Sequence, residues 1–322
     1  QGVYFHEHLL FACCIPISQL ELRVADLIPR RGTRVVLCDG EDEGLARTAA
    51  ERLAGFGYSD VAVMSGGVTA WRDAGFEVFS GVNVVSKAFG EYIEHRYDTP
   101  RITAQQLAAK QEARENMVIL DSRPMREFHN VSIPGGIDCP GAELVYRVFD
   151  AAPDPETLVV VNCAGRTRSI IGAQSLINAG IPNRVVALKD GTMGWQLAGF
   201  KPASGETRHA AAPGAAGLDK ARAAAGQVAE TFGVSEVDQT KLDQWRRQTD
   251  EHTLYILDVR TPEEYAQGHL PGSRHAPGGQ LVQATDEYVA TRHARIVLVD
   301  NDGVRARMTA SWLRQMGWDD VY

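Results

Sequence analysis

The sequence contains few cysteines and no long apolar segment, and these two absences exclude several classes of protein. Five cysteines are spread over 322 residues: Cys13, Cys14, Cys38, Cys139 and Cys163. An odd, sparse set of this kind does not form a disulfide framework, and no paired Cys or His spacing indicates a zinc site. The longest apolar run, residues 9–17, is broken by Pro16. It is far shorter than the roughly 20 residues that cross a bilayer, so the sequence predicts no membrane helix. The Cys and His spacing likewise predicts no bound metal.

Positive charge is also scarce. The chain carries 33 Lys and Arg against 41 Asp and Glu, a net charge of −8. This balance argues against nucleic acid as a partner, because nucleic-acid-binding proteins usually present a basic surface. Hydrophobic residues make up 44% and charged residues 23%, which is typical of a globular protein rather than a disordered chain.

The N-terminus lacks a positively charged segment followed by an apolar core. We therefore expect no signal peptide, and the sparse cysteines favour a reducing, cytoplasmic setting. The chain does not begin with Met, and its first residues run straight into an apolar segment. This start suggests a fragment.

Two parts of the chain repeat each other at an offset of 137 residues. Leu-Asp-Ser-Arg at residues 120–123 aligns with Leu-Asp-Val-Arg at residues 257–260, and the register holds for more than fifty residues. Within this stretch Arg168 aligns with Arg305. Because chance does not maintain a register over such a length, the sequence predicts two copies of one structural unit.

A third, less complete copy lies at the front, at an offset of 124 residues from the middle copy. Residues 35–37 align with residues 159–161, and Gly-x-x-x-Trp at residues 67–71 aligns with the same motif at residues 191–195. The first copy lacks the Asp-x-Arg segment, and the last copy stops before its Gly-x-x-x-Trp segment. Both ends of the chain are therefore expected to lie inside a repeat unit.

Each unit is expected to be an α/β structure. Residues 117–120, 158–161 and 185–188 are short apolar runs typical of buried strands. Apolar spacing over residues 168–179 predicts a helix that ends at Gly180. Short apolar strands that alternate with helices indicate a parallel sheet covered on both faces.

The segments between the units have a different composition. Residues 76–100 contain polar and aromatic residues without a clean period, and residues 201–217 are rich in Ala, Gly and Pro, as in an exposed linker. An amphipathic helix is predicted over residues 218–232. It either braces two units or forms a solvated spacer.

The strongest chemical signal is Cys163, which stands between a predicted strand and a predicted helix. A helix N-terminus carries unpaired N–H groups and a partial positive charge, and Arg166 and Arg168 add full positive charges. These features favour a thiolate, and the backbone of such a loop can also bind an anion. The residues predict a nucleophilic cysteine beside an anion pocket.

The other four cysteines are predicted to be structural. Cys13 and Cys14 lie in an apolar run, and Cys139 precedes a proline at a turn. Cys38 is followed by carboxylates, and their negative charge disfavours a thiolate: Asp39, Glu41, Asp42 and Glu43.

Two pairs of charged residues are expected to form salt bridges that serve the fold. Arg123 lies four residues before Glu127, and Arg260 lies four residues before Glu264. The pair recurs in a unit that has no cysteine at the Cys163 position. We therefore interpret it as structural rather than catalytic.

These motifs make each unit resemble the rhodanese domain. They are the Leu-Asp-x-Arg segment followed by Glu and an aromatic residue, two Pro-Gly turns, and the Cys-x-x-x-x-Arg loop at residues 163–168 before a helix. Gly191-x-x-x-Trp195 and the third unit's Asp-Val-Arg-Thr-Pro-Glu-Glu-Tyr at residues 258–265 are also similar to the family's segments. The resemblance implies tandem rhodanese-like domains, each a central parallel five-stranded sheet with helices on both faces. The boundaries that we expect are residues 1–80, 98–202 and 235–322 for the units and 203–234 for a linker with a helix.

The resemblance also implies sulfur transfer without a cofactor. In the family, the cysteine takes a sulfane sulfur from an anionic donor such as thiosulfate and becomes a persulfide. It then passes the sulfur to a thiophilic acceptor such as cyanide or a thiol, and a protein could also serve as acceptor. Cys163 would be the nucleophile, and Arg166 and Arg168 would bind the donor. The whole loop would line the substrate site: Ala164, Gly165, Arg166, Thr167, Arg168 and Ser169.

The outer units depart from the family pattern. The register places Asp39 and Asp300 where the middle unit has Cys163. A carboxylate cannot hold a persulfide, and it repels an anionic donor. The first and third units are therefore expected to be inactive.

Two other functions remain open. A cysteine phosphatase has a related architecture, but its Cys-to-Arg loop is one residue longer, and here Ser169 stands where its Arg would be. A non-catalytic scaffold, or a relay that passes sulfur to a partner protein, is compatible with two inactive units. A phosphate-ester assay tests the first alternative, and steady-state thiosulfate kinetics test the second.

Overall fold

The computed structural model describes residues 2–41 and 44–322. Asp42 and Glu43, two of the carboxylates that follow Cys38, lie outside these residues. Within the described ranges, no helix is long and apolar enough to span a membrane.

The first unit combines a small parallel sheet with short helices. Strand β1 (Val35–Leu37) pairs in parallel with β2 (Val61–Val63). The α-helices of this region are α1 (Gly2–His6), α2 (Leu20–Leu27), α3 (Gly44–Gly55) and α4 (Gly67–Asp73). The buried face of α2 packs against β1 and α3 in a small core that includes Leu20, Val24, Leu27, Val35 and Leu53. The register gives this unit no counterpart of the Asp-x-Arg strand, so its sheet is narrower than the five strands expected.

Residues 76–100, which the sequence analysis treats as a joint, contain the 14-residue helix α5 (Val84–Tyr97). Its apolar face contains Phe89 and Ile93, which are both buried. These two residues have helical spacing, but exposed Tyr92 and charged neighbours obscure the period. The helix therefore owes its position to packing against other units.

The middle unit contains the five-stranded parallel sheet that the family resemblance implies. Its strand order is β3 (Arg101–Ile102), β7 (Val185–Leu188), β6 (Leu158–Asn162), β4 (Met117–Asp121) and β5 (Ile137–Asp138). The α-helices are α6 (Ala104–Glu112), α7 (Met125–Asn130), α8 (Glu143–Ala151), α9 (Thr167–Asn178) and α10 (Gly191–Leu197). Strand β6 is central, and every residue in it is buried. This explains its continuous apolar run, because both faces of a central parallel strand are covered by helices.

The linker after the middle unit contains helix α11 (Ala215–Phe232), which begins three residues before its predicted start. It lies against α8, and its small side chains allow close packing. Ala221, Ala225 and Val228 belong to the same buried cluster as Val304 and Met308 of the third unit. Of the two alternatives for this helix, the structure therefore favours a brace between the middle and third units.

The third unit contains a shorter version of the same sheet. Its strand order is β10 (Arg295–Val299), β8 (Leu254–Asp258) and β9 (Arg274–His275), and Val321 adds a parallel bridge to Ile296. The α-helices are α12 (Gln239–Arg246), α13 (Pro262–Gln267), α14 (Gly278–Gln283) and α15 (Val304–Gln315). Helix α13 begins with a capping box formed by Thr261 and Glu264. The expected α/β architecture is thus present, with the full five strands in the middle unit.

Candidate active site

Cys163 lies in the turn between β6 and α9, as the sequence predicts. Its side chain is buried, and the thiol points at the hydroxyl of Ser169, with 3.5 Å between Sγ and Oγ. That hydroxyl in turn donates to the carbonyl of Arg166 at 2.8 Å. The N–H groups in the first turn of α9 have no acceptor within the helix. They give the loop a partial positive charge beside the sulfur.

Helix α10 holds the Cys163 loop in place through backbone hydrogen bonds. The N–H of Thr192 donates to the carbonyl of Cys163 at 2.9 Å, and the N–H of Met193 donates to the carbonyl of Ala164 at 3.0 Å. Gly191 has φ +54°, and a Cβ at this position would overlap the carbonyl oxygen of Cys163. Only glycine allows this close approach, which explains the first residue of the Gly-x-x-x-Trp motif.

The first unit repeats this arrangement around Asp39. The N–H of Val68 donates to the carbonyl of Asp39 at 2.9 Å, and a Cβ on Gly67 would lie 2.6 Å from the same oxygen. These contacts match those of Thr192 and Gly191 at the offset of 124 residues. The structure thus puts Asp39 at the position that corresponds to Cys163, and its carboxylate accepts the N–H of Ala46 at 3.0 Å.

In the third unit, Asp300 stands before α15 as Cys163 stands before α9. Its carboxylate accepts four backbone N–H groups from the turn that follows. The donors and their distances are Gly303 at 2.6 Å, Arg305 at 2.8 Å, Ala306 at 3.2 Å and Asp302 at 3.3 Å. A negatively charged group therefore fills a cradle of N–H groups at this helix N-terminus.

The middle loop has the same backbone positions without the carboxylate. At an offset of 137 residues, the four donors around Asp300 correspond to Gly165, Arg166, Arg168 and Ser169. A cysteine side chain occupies less of this cradle than an aspartate and carries no oxygen acceptor. The backbone of the two turns differs at one of these positions, since Gly303 has φ +71° and Arg166 has φ −123°. The register therefore names candidate N–H donors in the middle unit, and their binding of an anion stays a prediction.

Both arginines of the Cys163 loop are paired with carboxylates. Arg168 makes a bidentate pair with Glu127, with both N–O distances at 2.8 Å. Arg166 contacts Glu91 at 2.8 Å and Glu94 at 2.5 Å, both on α5. Neither arginine is therefore a free cation in this structure.

The structure corrects the partners that the sequence analysis assigned to Glu127 and Arg123. Arg123 forms a buried pair with Asp121 at 2.7 Å, and it also donates to the carbonyl of Val131. Glu127 instead binds Arg168. The reason is the i, i+2 spacing of Asp121 and Arg123, which lets the guanidinium fold back onto the carboxylate at the end of the strand.

The third unit shows the same exchange of partners. Arg260 pairs with Asp258 at 2.5 Å, and Glu264 makes the bidentate pair with Arg305. Arg305 is fully buried and also contacts Glu143 of the middle unit at 3.0 Å. The predicted Arg123–Glu127 and Arg260–Glu264 salt bridges are therefore both wrong, although all these residues do pair within the fold.

The pKa of Glu127 shows the effect of its ion pair with Arg168. Burial raises the pKa of Glu127, but the hydrogen bonds and positive charge of Arg168 outweigh burial and hold that pKa below its usual value. The same balance with Arg305 lowers the pKa of Glu264. Both pairs therefore stay ionised at neutral pH. The sequence repeat already indicated these two pairs, because Arg168 and Glu127 of the middle unit recur as Arg305 and Glu264 of the third unit.

Helix α5 covers the N-terminal turn of α9. Gly90 approaches Thr167 so closely that a Cβ would lie 3.0 Å from its methyl group. The apolar face of α5 joins a buried cluster with α9 and the third unit: Phe89, Ile93, Ile170, Ile171, Val282 and Trp312. Glu91 and Glu94 were not predicted as site residues, because the sequence of this segment gives no clear helical period.

The third unit packs against the other side of α9. A cleft with about 500 Å³ of empty space lies between the two units beside Arg168, and its lining includes Ser122, Ile171, Ser175 and Trp312. The indole N–H of Trp312 donates to the hydroxyl of Ser175 at 2.8 Å across this boundary. Within the described ranges, no group of three or more His, Cys, Asp or Glu side chains could hold a metal ion.

Comparisons with known proteins identify the family. The family model of the rhodanese-like domain matches residues 103–198 and 238–322. The crystal structure of a thiosulfate sulfurtransferase from Pseudomonas aeruginosa is 55% identical, covers 98% of this chain and superposes with a TM-score of 0.94. This chain spans only 60% of that protein's length.

More distant relatives match one unit. The thiosulfate sulfurtransferase GlpE of Pseudomonas paraeruginosa is 31% identical over 91 residues, which are 28% of this chain and 79% of that protein. A Bacillus subtilis relative is 30% identical over 88 residues, 27% of this chain and 46% of its own length. The family matches lie in the middle and third units, so a third rhodanese-like domain at residues 1–80 stays a prediction. The chain belongs to the rhodanese-like family, with tandem domains of that fold.

Proposed function

We propose that this protein is a thiosulfate sulfurtransferase whose middle unit carries out the reaction. The single observation that carries the proposal is the cradle around Asp300, because the residues that align with its donors follow Cys163 in the turn and first turn of α9, where no carboxylate of the described residues accepts them. A thiol at the N-terminus of a helix, beside candidate N–H donors, suits a donor that is both anionic and sulfur-bearing. The names of the Pseudomonas relatives agree with this substrate class.

The reaction would proceed in two displacements at Cys163. The thiolate attacks the outer sulfur of thiosulfate, a new S–S bond forms, and sulfite leaves with the electron pair of the old S–S bond. A thiophile such as cyanide or a thiol then attacks the outer sulfur of the persulfide. This step releases thiocyanate or a new persulfide and returns the thiolate. Neither step requires a cofactor or a metal.

The backbone of the loop would stabilise the negative charge in both steps. By analogy with Asp300, the donors are the N–H groups of Gly165, Arg166, Arg168 and Ser169. The hydroxyl of Ser169 lies beside the sulfur and could accept from the thiol or donate to the thiolate. Ala164 and Thr167 complete the turn. Preorganised donors of this kind act without reorganisation during the reaction.

The two arginines would have different roles. The Arg168–Glu127 pair recurs as Arg305–Glu264 in a unit without the cysteine, so we assign Arg168 to holding the loop. The Arg166 side chain is 41% exposed against 16% for Arg168. Arg166 is therefore the better candidate for direct contact with an incoming anion.

The first and third units would not carry sulfur. Asp39 and Asp300 hold their own backbone cradles with carboxylates, and neither unit has a thiol at that position. The third unit would instead support the middle unit through α14 and α15, and helix α5, which follows the first unit, covers the N-terminal turn of α9. The proposed setting is the cytoplasm, where a thiolate stays reduced.

Steady-state kinetics with thiosulfate and cyanide test this proposal. The double displacement predicts parallel lines in reciprocal plots at several fixed cyanide concentrations. It also predicts no hydrolysis of a phosphate monoester. A persulfide that forms without steady turnover of small acceptors would favour the relay to a partner protein, and phosphate-ester hydrolysis would favour the phosphatase. Either result would overturn the proposed function.

A further inference from the structure

We propose that Glu91 and Glu94 of helix α5 set the affinity of the Cys163 site for anionic donors by holding Arg166. The inference rests on the proposed function, in which Arg166 contacts the donor. Both glutamates act through the arginine, so they are positioning residues. They would make the site select donors by charge.

The contacts of Arg166 show which groups a donor anion must compete with for its guanidinium. One guanidinium nitrogen of Arg166 contacts Glu91 at 2.8 Å and Glu94 at 2.5 Å. A donor anion that binds this guanidinium must share it with two carboxylates or displace one of them. Glu91 is the easier partner to displace, because its side chain is 53% exposed while that of Glu94 is 14% exposed. Glu94 also pairs with Arg101, which fixes it further.

The position of α5 does not depend on these ion pairs. Phe89 and Ile93 anchor the helix in the cluster with α9 and the third unit. At its first turn, the hydroxyl of Ser86 donates to the carbonyl of Gln283 at 2.6 Å. The helix therefore presents its carboxylates at a fixed place above the loop. Removal of the charge on Glu91 should leave Arg166 with Glu94 as its one carboxylate partner among the described residues, and so make the guanidinium more available to an anion without moving the helix.

The charges near the loop make this effect specific to anions. Arg166 and Arg168 form ion pairs with three carboxylates, those of Glu91, Glu94 and Glu127. Asp190 adds negative charge near Arg166, and Asp121 adds it near Arg168. A doubly charged donor such as thiosulfate meets repulsion from Glu91 as well as attraction to Arg166. A donor without charge meets neither. The glutamates should therefore weaken the use of thiosulfate relative to an uncharged organic trisulfide.

Glu91→Gln tests the inference, with Glu112→Gln as the matched control on the exposed end of α6. An exposed ion pair contributes about 0.2–1 kcal/mol, so we expect the KM for thiosulfate to fall by up to about fivefold with kcat unchanged. Glu112→Gln should leave KM unchanged, and Glu91→Asp should restore a value near that of the wild type. The KM for the trisulfide should not move, and high salt should reduce the difference for thiosulfate. An unchanged KM in Glu91→Gln, or an equal fall for both donors, would overturn the inference.

A binding measurement separates this inference from the proposed function. Calorimetry of thiosulfate binding in a Cys163→Ser background reports affinity without turnover. A lower Kd on addition of Glu91→Gln supports the role of Glu91 even if the wild type does not turn thiosulfate over. Turnover in the wild type with no change in Kd would instead refute the role of Glu91 alone. If thiosulfate binds neither to the Cys163→Ser variant nor to the variant that carries both Cys163→Ser and Glu91→Gln, both proposals are refuted.

Discussion

Cys163→Ser is expected to lower the rate of sulfur transfer by a factor on the order of a thousand or more while the fold persists. Serine cannot form a persulfide, so the covalent route is lost and only the slow uncatalysed reaction remains. The stability should change little, because the replacement is nearly isosteric. The hydroxyl can also keep the contact that the thiol makes with Ser169. The measurement is steady-state turnover of thiosulfate with cyanide, together with thermal unfolding of the variant.

Cys38→Ser is the matched control. Cys38 directly follows β1 and aligns with Asn162, the last residue of β6, one residue before the position of Asp39 and Cys163. Burial raises the pKa of its thiol, and the charge of Asp39 raises it further, so little thiolate forms at neutral pH. We expect full activity in this variant. Retained turnover in Cys163→Ser, or loss of turnover in Cys38→Ser, would contradict the assignment of the nucleophile.

Gly191→Ala is expected to damage both activity and stability. The residue has φ +54°, and the new methyl group would overlap the carbonyl oxygen of Cys163. The loop must therefore shift, which moves the sulfur and the backbone donors away from each other. A displacement of about 1 Å can cost about a hundredfold in rate. The left-handed backbone and the overlap together should lower the free energy of unfolding by about 2 kcal/mol or more.

Gly180→Ala separates the effect of the left-handed backbone from the effect of the overlap with Cys163. Gly180 also has a positive φ, +66°, at the end of α9, but no atom lies within 4 Å of the position of a new methyl group. This variant should lose about 1–2 kcal/mol of stability from the backbone conformation alone and keep its turnover. Equal losses of activity in both variants would show that the contact between Gly191 and Cys163 has no special role.

The local features of the active site could be predicted from the sequence because they are encoded within one unit. The apolar run of β6, the turn at Cys163 and the helix after it follow one another directly. The repeat register then identified Asp39 and Asp300 as the equivalents of Cys163. The backbone contacts of Gly67 and Gly191 agree with that register.

The partners of the charged residues could not be predicted in the same way. The sequence suggested that Arg123 would pair with Glu127, four residues away, but the strand end brings Asp121 closer. Glu127 then reaches Arg168, which is 41 residues further along the chain. Such pairs depend on how β4, α7 and α9 pack together, and helical spacing alone does not contain that information.

Helix α5 was missed for a related reason. Its buried face consists of little more than Phe89 and Ile93, and other units supply the surface that covers them. A short apolar face of this kind gives a weak periodic signal. The ion pairs of Glu91 and Glu94 with Arg166 depend on that packing. They connect residues more than seventy positions apart.

The most direct test of the central claim is the site and number of persulfides on the intact chain. The protein is incubated with thiosulfate, its intact mass is measured, and the modified peptide is mapped. The account predicts the mass of one added sulfur atom per chain, located on the peptide that contains Cys163, and no added sulfur in Cys163→Ser. Stoichiometric sulfur on Cys38, more than one added sulfur per chain, or loading that persists in Cys163→Ser would contradict it.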